Sequence, residues 1–270
     1  MKSFLIVTLL SAALVAATPS PTEEPSVCTT TLGGAAVGSD LLKATGIPFG
    51  PKATGCADLE VLIARGTGEG GPYGVIVGDP LVKRLKKELG DKVQAYAVQY
   101  PASAQATAGV KAGVVDVIDR LAAQEKACPN QVFALVGYSQ GAALFNAAAK
   151  KIPEATAANK IKALVMFGDP SLKQTNTYTP TLLTKLWENC EACDMVCDKG
   201  RDFGPHLRYQ REAYQSKSAE FIIKALQGQP LPAKVSVPEI KSVQCAGSSP
   251  PETITINCPK GAATPAKGPM

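Results

Sequence analysis

The sequence predicts an α/β fold: a three-layer sandwich with a central, mainly parallel sheet covered by helices on both faces and stapled by disulfides. Two observations carry that prediction. Short apolar runs alternate with stretches of helical periodicity, and such alternation builds a parallel sheet buried on both sides. Eight cysteines occur in a chain whose N-terminus reads as an export leader, the setting in which disulfides form and persist.

The elements follow in order. Leu59–Ala64 is a short apolar strand, followed by a glycine-rich loop from Gly66 to Gly74. Pro80–Leu89 reads as a helix stopped by Gly90. Val93–Tyr100 is a second strand, closed by Pro101. Thr107–Ala127 has helical spacing, with Val110, Val114, Val117, Ile118 and Leu121 on one face. Gln131–Val136 is a third strand, Gln140–Lys151 a helix, Ile161–Phe167 a fourth strand and Ser218–Gln227 the last helix. Right-handed crossovers gather the loops at the strands' carboxyl ends on one edge, where a site is expected.

The ends read differently. Lys2, the apolar run Phe4–Val15 and the small residues Val15-Ala16-Ala17 make residues 1–17 a signal peptide. That run is too short to span a bilayer, so no membrane anchor is expected. Residues 18–55 form a flexible lead-in rich in Pro, Thr and Gly, residues 56–228 the folded domain, and residues 229–270 a Pro-rich, irregular extension in which Cys245 and Cys258 are placed to pair.

Composition narrows the function. Of 270 residues, 45% are hydrophobic and 19% charged, an ordinary globular balance. The net charge of +5 becomes +4 once the leader takes Lys2 and no acid with it. Lys83-Arg84-Leu85-Lys86-Lys87 is the wet face of a helix, and no aromatic-studded basic groove points to nucleic acid. With one histidine, and no fourth ligand for Cys190, Cys193 and Cys197, a metal centre is not expected. The expectation is a monomer that needs no cofactor.

The chemistry centres on Gly137-Tyr138-Ser139-Gln140-Gly141, set between an apolar strand and an Ala-rich helix. Glycines two residues to either side let a strand turn sharply into a helix, holding Ser139 on a strained elbow of the α/β-hydrolase type with its hydroxyl projecting. The helix N-terminus behind it favours developing negative charge. A serine hydroxyl needs a base, and His206 is the only histidine in the chain. It lies C-terminal to the serine, as this turn type requires. An acid must orient the imidazole. Asp169, Asp194, Asp198 and Asp202 all lie between serine and histidine, and spacing leaves them open. The Gln140 N–H supplies one oxyanion donor, and the loop Arg65-Gly66-Thr67-Gly68-Glu69 is placed to supply a second.

At these residues the sequence resembles the cutinase family, which includes acetylxylan esterases. The resemblance runs from about Cys56 to Leu226. It rests on Cys56-Ala57-Asp58 with Ala64-Arg65-Gly66-Thr67, on Cys128-Pro129 with Gly137-Tyr138-Ser139-Gln140-Gly141-Ala142-Ala143, and on Cys190, Asp194-Met195-Val196-Cys197 and Pro205-His206-Leu207-Arg208-Tyr209. It implies Asp194 as the acid, with Asp169 the runner-up, and Thr67 as the second oxyanion donor. It also implies disulfides Cys56–Cys128 and Cys190–Cys197, which leaves Cys28 and Cys193 as a further possible pair.

The activity so implied is carboxylic ester hydrolysis by a secreted serine esterase, on cutin or short- to medium-chain acyl esters. The charged segment Asp198–Gly204, where cutinases are typically apolar, keeps acetylated xylan as an alternative substrate. A reading of another class is a secreted binding protein on an inactive hydrolase scaffold, which fails to hydrolyse a chromogenic butyrate ester.

Overall fold

The structure, a computed structural model, describes residues 27–30, 50–104, 106–173, 178–198, 200–232 and 254–257. Its centre is a five-stranded sheet, all parallel, of β2 (Leu59–Ala64), β3 (Val93–Ala97), β4 (Val132–Tyr138), β5 (Ile161–Phe167) and β6 (Leu186–Asn189), in the order β3-β2-β4-β5-β6. The strand β1 (Val27–Thr30) pairs antiparallel with β7 (Ile254–Asn257), so the lead-in and the C-terminal extension, expected to be irregular, contribute one ladder. The leader, residues 1–17, and the Cys245–Cys258 pairing lie outside the described residues.

Helices cover both faces of the large sheet. In β2 the side chains alternate: Leu59, Val61 and Ile63 join the core under α1 (Gly78–Leu89) and α6 (Glu212–Leu226), where Leu81, Leu85, Phe221 and Ile222 are buried. Leu62 and Ala64 face the other side, against Val114, Val117 and Leu121 of α2 (Ala106–Ala127) and Leu144 and Phe145 of α3 (Gln140–Ala149). The period of two decides the face even in a run that reads as continuously apolar. Two short helices, α4 (Glu154–Asn159) and α5 (Pro180–Leu183), complete the connections on either side of β5.

The last helix starts six residues before the expected Ser218, because Tyr214 and Gln215 are buried in its opening turns. The second strand ends at Ala97, three residues before the expected Tyr100. From Gly50 the lead-in is tied down: Pro51 O accepts from Ala97 N at 3.0 Å, covering the open edge of β3.

At the amino edge of the sheet sits one charge in the core. Glu60 of β2 is fully buried. Its Oε1 accepts from Arg120 Nε at 2.7 Å, and its Oε2 from the side-chain amides of Gln94 and Gln124, each at 3.0 Å, and Gln131 at 2.7 Å. These partners come from β3, from α2 and from the turn before β4, so the carboxylate joins the sheet to the helix above it. Beside it, the Cys56–Cys128 disulfide links the entry to β2 with the end of α2. A buried carboxylate stripped of its cation is costly, because its desolvation is no longer offset. Arg120→Ala is expected to lower unfolding stability by about 3 kcal/mol in urea titration of the oxidised protein; a loss below about 1 kcal/mol shows that the three amides suffice.

Candidate active site

The β2–β4 register sets Ala64 opposite Gly137, so the ends of two central strands lie side by side. Beyond Tyr138 the chain reverses at Ser139, whose φ of 53° and ψ of −112° place a non-glycine residue in a strained conformation. Gly141 passes directly over the end of β2. A Cβ there would lie 1.9 Å from Ala64 O, and one on Gly137 would lie 2.8 Å from the Ala142 backbone. Both glycines are therefore demanded by close approach. Ser139 N donates to Phe167 O at 2.9 Å, which ties the elbow to the end of β5. Gln140 opens α3, and its side chain donates to Ser103 O at 2.9 Å; its N–H belongs to the first turn, where no helical carbonyl precedes it.

His206 lies in the 3₁₀ turn Pro205–Leu207 and is 1% exposed. It packs beside the elbow: the Tyr138 ring is 5.0 Å from its ring, and Tyr138 Oη donates to His206 O at 2.8 Å. Its Nδ1 is 2.7 Å from Asp194 Oδ2. An ionised carboxylate only accepts, so Nδ1 is the donor of this pair, and in the neutral ring that tautomer puts the lone pair on Nε2. That Nε2 is buried and has no hydrogen-bond partner among the described residues, Ser139 Oγ included. A buried acceptor left open is uncommon in a folded protein and calls for an explanation. Catalytic contacts are often long before substrate binds.

Asp194 is fully buried. Burial pushes its carboxyl up, but the hydrogen bonds from His206, Tyr209 and Val196 N together outweigh it and hold the group below its usual range. Tyr209 Oη donates to Oδ2 at 2.5 Å and Val196 N to Oδ1 at 2.7 Å. The loop itself is braced by the Cys190–Cys197 disulfide and by Met195 N donating to Asp202 O at 3.3 Å.

The other acids are engaged elsewhere. Asp198 accepts from Cys193 N at 2.9 Å and Asp202 from Gly204 N at 2.9 Å. Asp169 is buried and holds Ser171 Oγ at 2.6 Å and Tyr178 Oη at 3.0 Å. Burial and the neighbouring Asp169 push the Glu188 carboxyl well up. Cys193, at φ 67°, is disulfide-bonded, and its partner's side chain lies outside the described residues, as does that of Cys28.

Thr67 is exposed at the tip of the loop after β2, between a buried Gly66 and a half-buried Gly68. Gly68 N donates to Ala102 O at 2.8 Å, so the loop leans on the segment after β3. Among the described residues neither the N–H nor the hydroxyl of Thr67 has a partner. Tyr209, which supplies the second donor to the Asp194 oxygen facing His206, has no signal in patterning; a buried tyrosine reads as core.

The comparisons with known proteins decide the family. A model of the cutinase family matches residues 55–226. The chain belongs to the cutinase family. It is 31% identical over 210 residues to the probable carboxylesterase Culp3 of Mycobacterium tuberculosis, covering 71% of this chain and 79% of that protein. It is 34% identical over 176 residues to a cutinase of Monilinia fructicola, covering 64% and 86%. Among solved structures, a Trichoderma reesei cutinase in complex with a phosphonate inhibitor matches with a TM-score of 0.57 at 31% identity, over 70% of this chain and 86% of that one. An acetylxylan esterase matches with a TM-score of 0.57 at 22% identity, over 64% and 100%, a likeness of fold.

The Tyr209 hydroxyl is testable by pH. A carboxyl held below its usual range stabilises the fold above its unfolded value, near 3.8, and that stability is lost as pH falls through the lower folded value. Tyr209→Phe removes one donor to the ionised form. It is expected to lower unfolding stability by about 2 kcal/mol at neutral pH, with the gap from the parent protein narrowing as Asp194 becomes protonated. Urea unfolding across the acid range checks this; a pH-independent gap points to lost packing instead.

Proposed function

We propose that this cutinase-family protein is a secreted carboxylic ester hydrolase that works through an acyl-enzyme on Ser139, with His206 as base and Asp194 as the group that orients it. The observation that carries the reading is the His206 ring: one nitrogen is bound to a buried carboxylate and the other is buried beside the serine elbow with no partner among the described residues. Ser139 Oγ gives its proton to Nε2 and attacks the ester carbonyl carbon. The resulting oxyanion sits between Gln140 N–H and the N–H and hydroxyl of Thr67. The tetrahedral adduct collapses as the ester C–O bond breaks, and the leaving alkoxide takes the proton from Nε2. Water then repeats the cycle against the acyl-serine, releasing the acid.

Export is supported by residues 1–17 and by disulfides in the folded domain. The folded unit so read is residues 56–228, a monomer acting without cofactor or membrane anchor.

A polyester or short- to medium-chain acyl substrate is favoured by the surroundings of His206. Phe203 lies 5.0 Å from its ring and Met195 adjoins Asp194, both of them exposed. An apolar ring thus stands next to the imidazole within a segment whose sequence is charged. The charges of the segment Asp198–Gly204, namely Asp198, Lys199, Arg201 and Asp202, favour acetylated xylan as the second reading.

Two outcomes are expected of the oxidised, leaderless protein. An alkylphosphonate should label it at Ser139 by mass spectrometry, and Ser139→Ala should take up none; labelling that persists removes Ser139 from the nucleophile's role. In a panel of p-nitrophenyl esters, cutin and acetylated xylan, kcat/KM should peak at short to medium acyl chains, with hydroxy fatty acids released from cutin. Acetate release from xylan as the dominant activity selects the second reading.

A further inference from the structure

We propose that Glu69 is a positioning residue that clamps the oxyanion loop by its two carboxylate oxygens, an inference that rests on the esterase reading above. Glu69 follows Thr67 by two residues and turns inward while Thr67 turns outward; it is 6% exposed. One oxygen, Oε2, accepts the Gly66 N–H just before Thr67, and Oε1 accepts the Ile76 N–H at 2.9 Å, at the far end of the turn that enters α1. The carboxylate therefore ties both ends of the Gly66–Ile76 loop to one point. Gly68 N, just after Thr67, is held by Ala102 O. Thr67 is the residue between two pinned amides, and its own donors are the ones left over.

The loop's glycines fit this clamp. A Cβ on Gly74, at φ 99°, would lie 2.7 Å from Glu69 Oε2, and one on Gly66 would lie 2.6 Å from the Tyr138 ring and 3.3 Å from Oε2. The chain thus omits two side chains to let one carboxylate reach the backbone. Arg65, Asp79, Tyr100 and Tyr138 are the charged or titratable groups that face it. Burial pushes its carboxyl up to about 7, against the two N–H bonds and Arg65, which pull it down, while Asp79 adds to the rise. Such a burial cost is tolerated where the group has a task. A shell of this kind is what keeps donors aimed at the position where charge develops.

Glu69→Gln keeps the shape but replaces one acceptor with an amide that donates toward an N–H. With a p-nitrophenyl ester, kcat is expected to fall about 10²-fold, the cost of a misplaced or lost oxyanion donor, while KM stays within about twofold. The decisive readout is a double-mutant cycle with Thr67→Ala. If Glu69 acts through Thr67, the double variant loses about as much as the worse single variant; losses that multiply show independent action and overturn the clamp. So does Glu69→Gln with unchanged kcat. If Glu69→Gln does not fold, by near-ultraviolet circular dichroism, amide exchange in the unsubstituted protein decides. Gly66 and Ile76 should be protected like core strands, and exchange at the rate of exposed loops overturns the proposal. An unsubstituted protein that takes up no phosphonate at Ser139 sinks the esterase reading itself, and is distinct from all of these.

Discussion

The arrangement depends on one close approach: the Gly141 backbone lying against the carbonyl of Ala64 at the end of β2. The ladder register places Ala64 opposite Gly137, so the chain leaving β2 and the chain leaving β4 emerge together. Because no side chain separates them, the loop bearing Thr67 and the elbow bearing Ser139 share one edge. Any larger residue at position 141 forces the helix off the sheet and parts the Ser139 elbow from the Thr67 loop. The same approach explains the strain at Ser139, since a turn this tight leaves the residue at its apex little choice of φ.

The acid side is assembled by different means. No strand presents Asp194. It lies in a loop held by the disulfide that closes Cys190–Cys197, by a bridge to Asp202 and by hydrogen bonds to its own carboxylate. Tyr209 stands behind both that carboxylate and the backbone of Glu191, so one buried phenol sets the acid and the loop that carries it. Tyr138 likewise touches the histidine with its ring and holds the backbone of His206 with its hydroxyl. The elbow's own neighbour thus positions His206.

Much of this was legible in the sequence, and the limits have physical causes. The strands β2, β4 and β5 and the helix after Ser139 declare themselves by apolar runs and by glycine spacing. The edge strand β6 did not, because Leu186-Trp187-Glu188-Asn189 carries two polar residues whose burial depends on Asp169, Met166 and Ser218 from distant segments. Helix α4, six residues long with Ala and Thr, has too little periodicity to stand out. Four aspartates fitted the chain order equally; which one meets His206 is set by a loop fold that spacing does not encode, and it took the resemblance to single out Asp194. Glu69 reads as a surface acid in a glycine-rich turn, since nothing local tells that its side chain points inward.

Both edges of the sheet bury charge, and they treat it in opposite ways. At the amino edge Glu60 receives four donors, one of them charged, and fixes strands to helix with its lone pairs satisfied. At the carboxyl edge some polar groups are left incomplete among the described residues: a histidine nitrogen without a partner and a threonine with open donors, beside a serine in a strained turn. A sequence that settles its polar groups so fully at one end does not leave them open at the other for want of partners. Incomplete bonding is tolerated where a ligand completes it. The groups left open at the carboxyl edge are those to which the proposed acyl-enzyme mechanism gives the attack, the proton and the oxyanion.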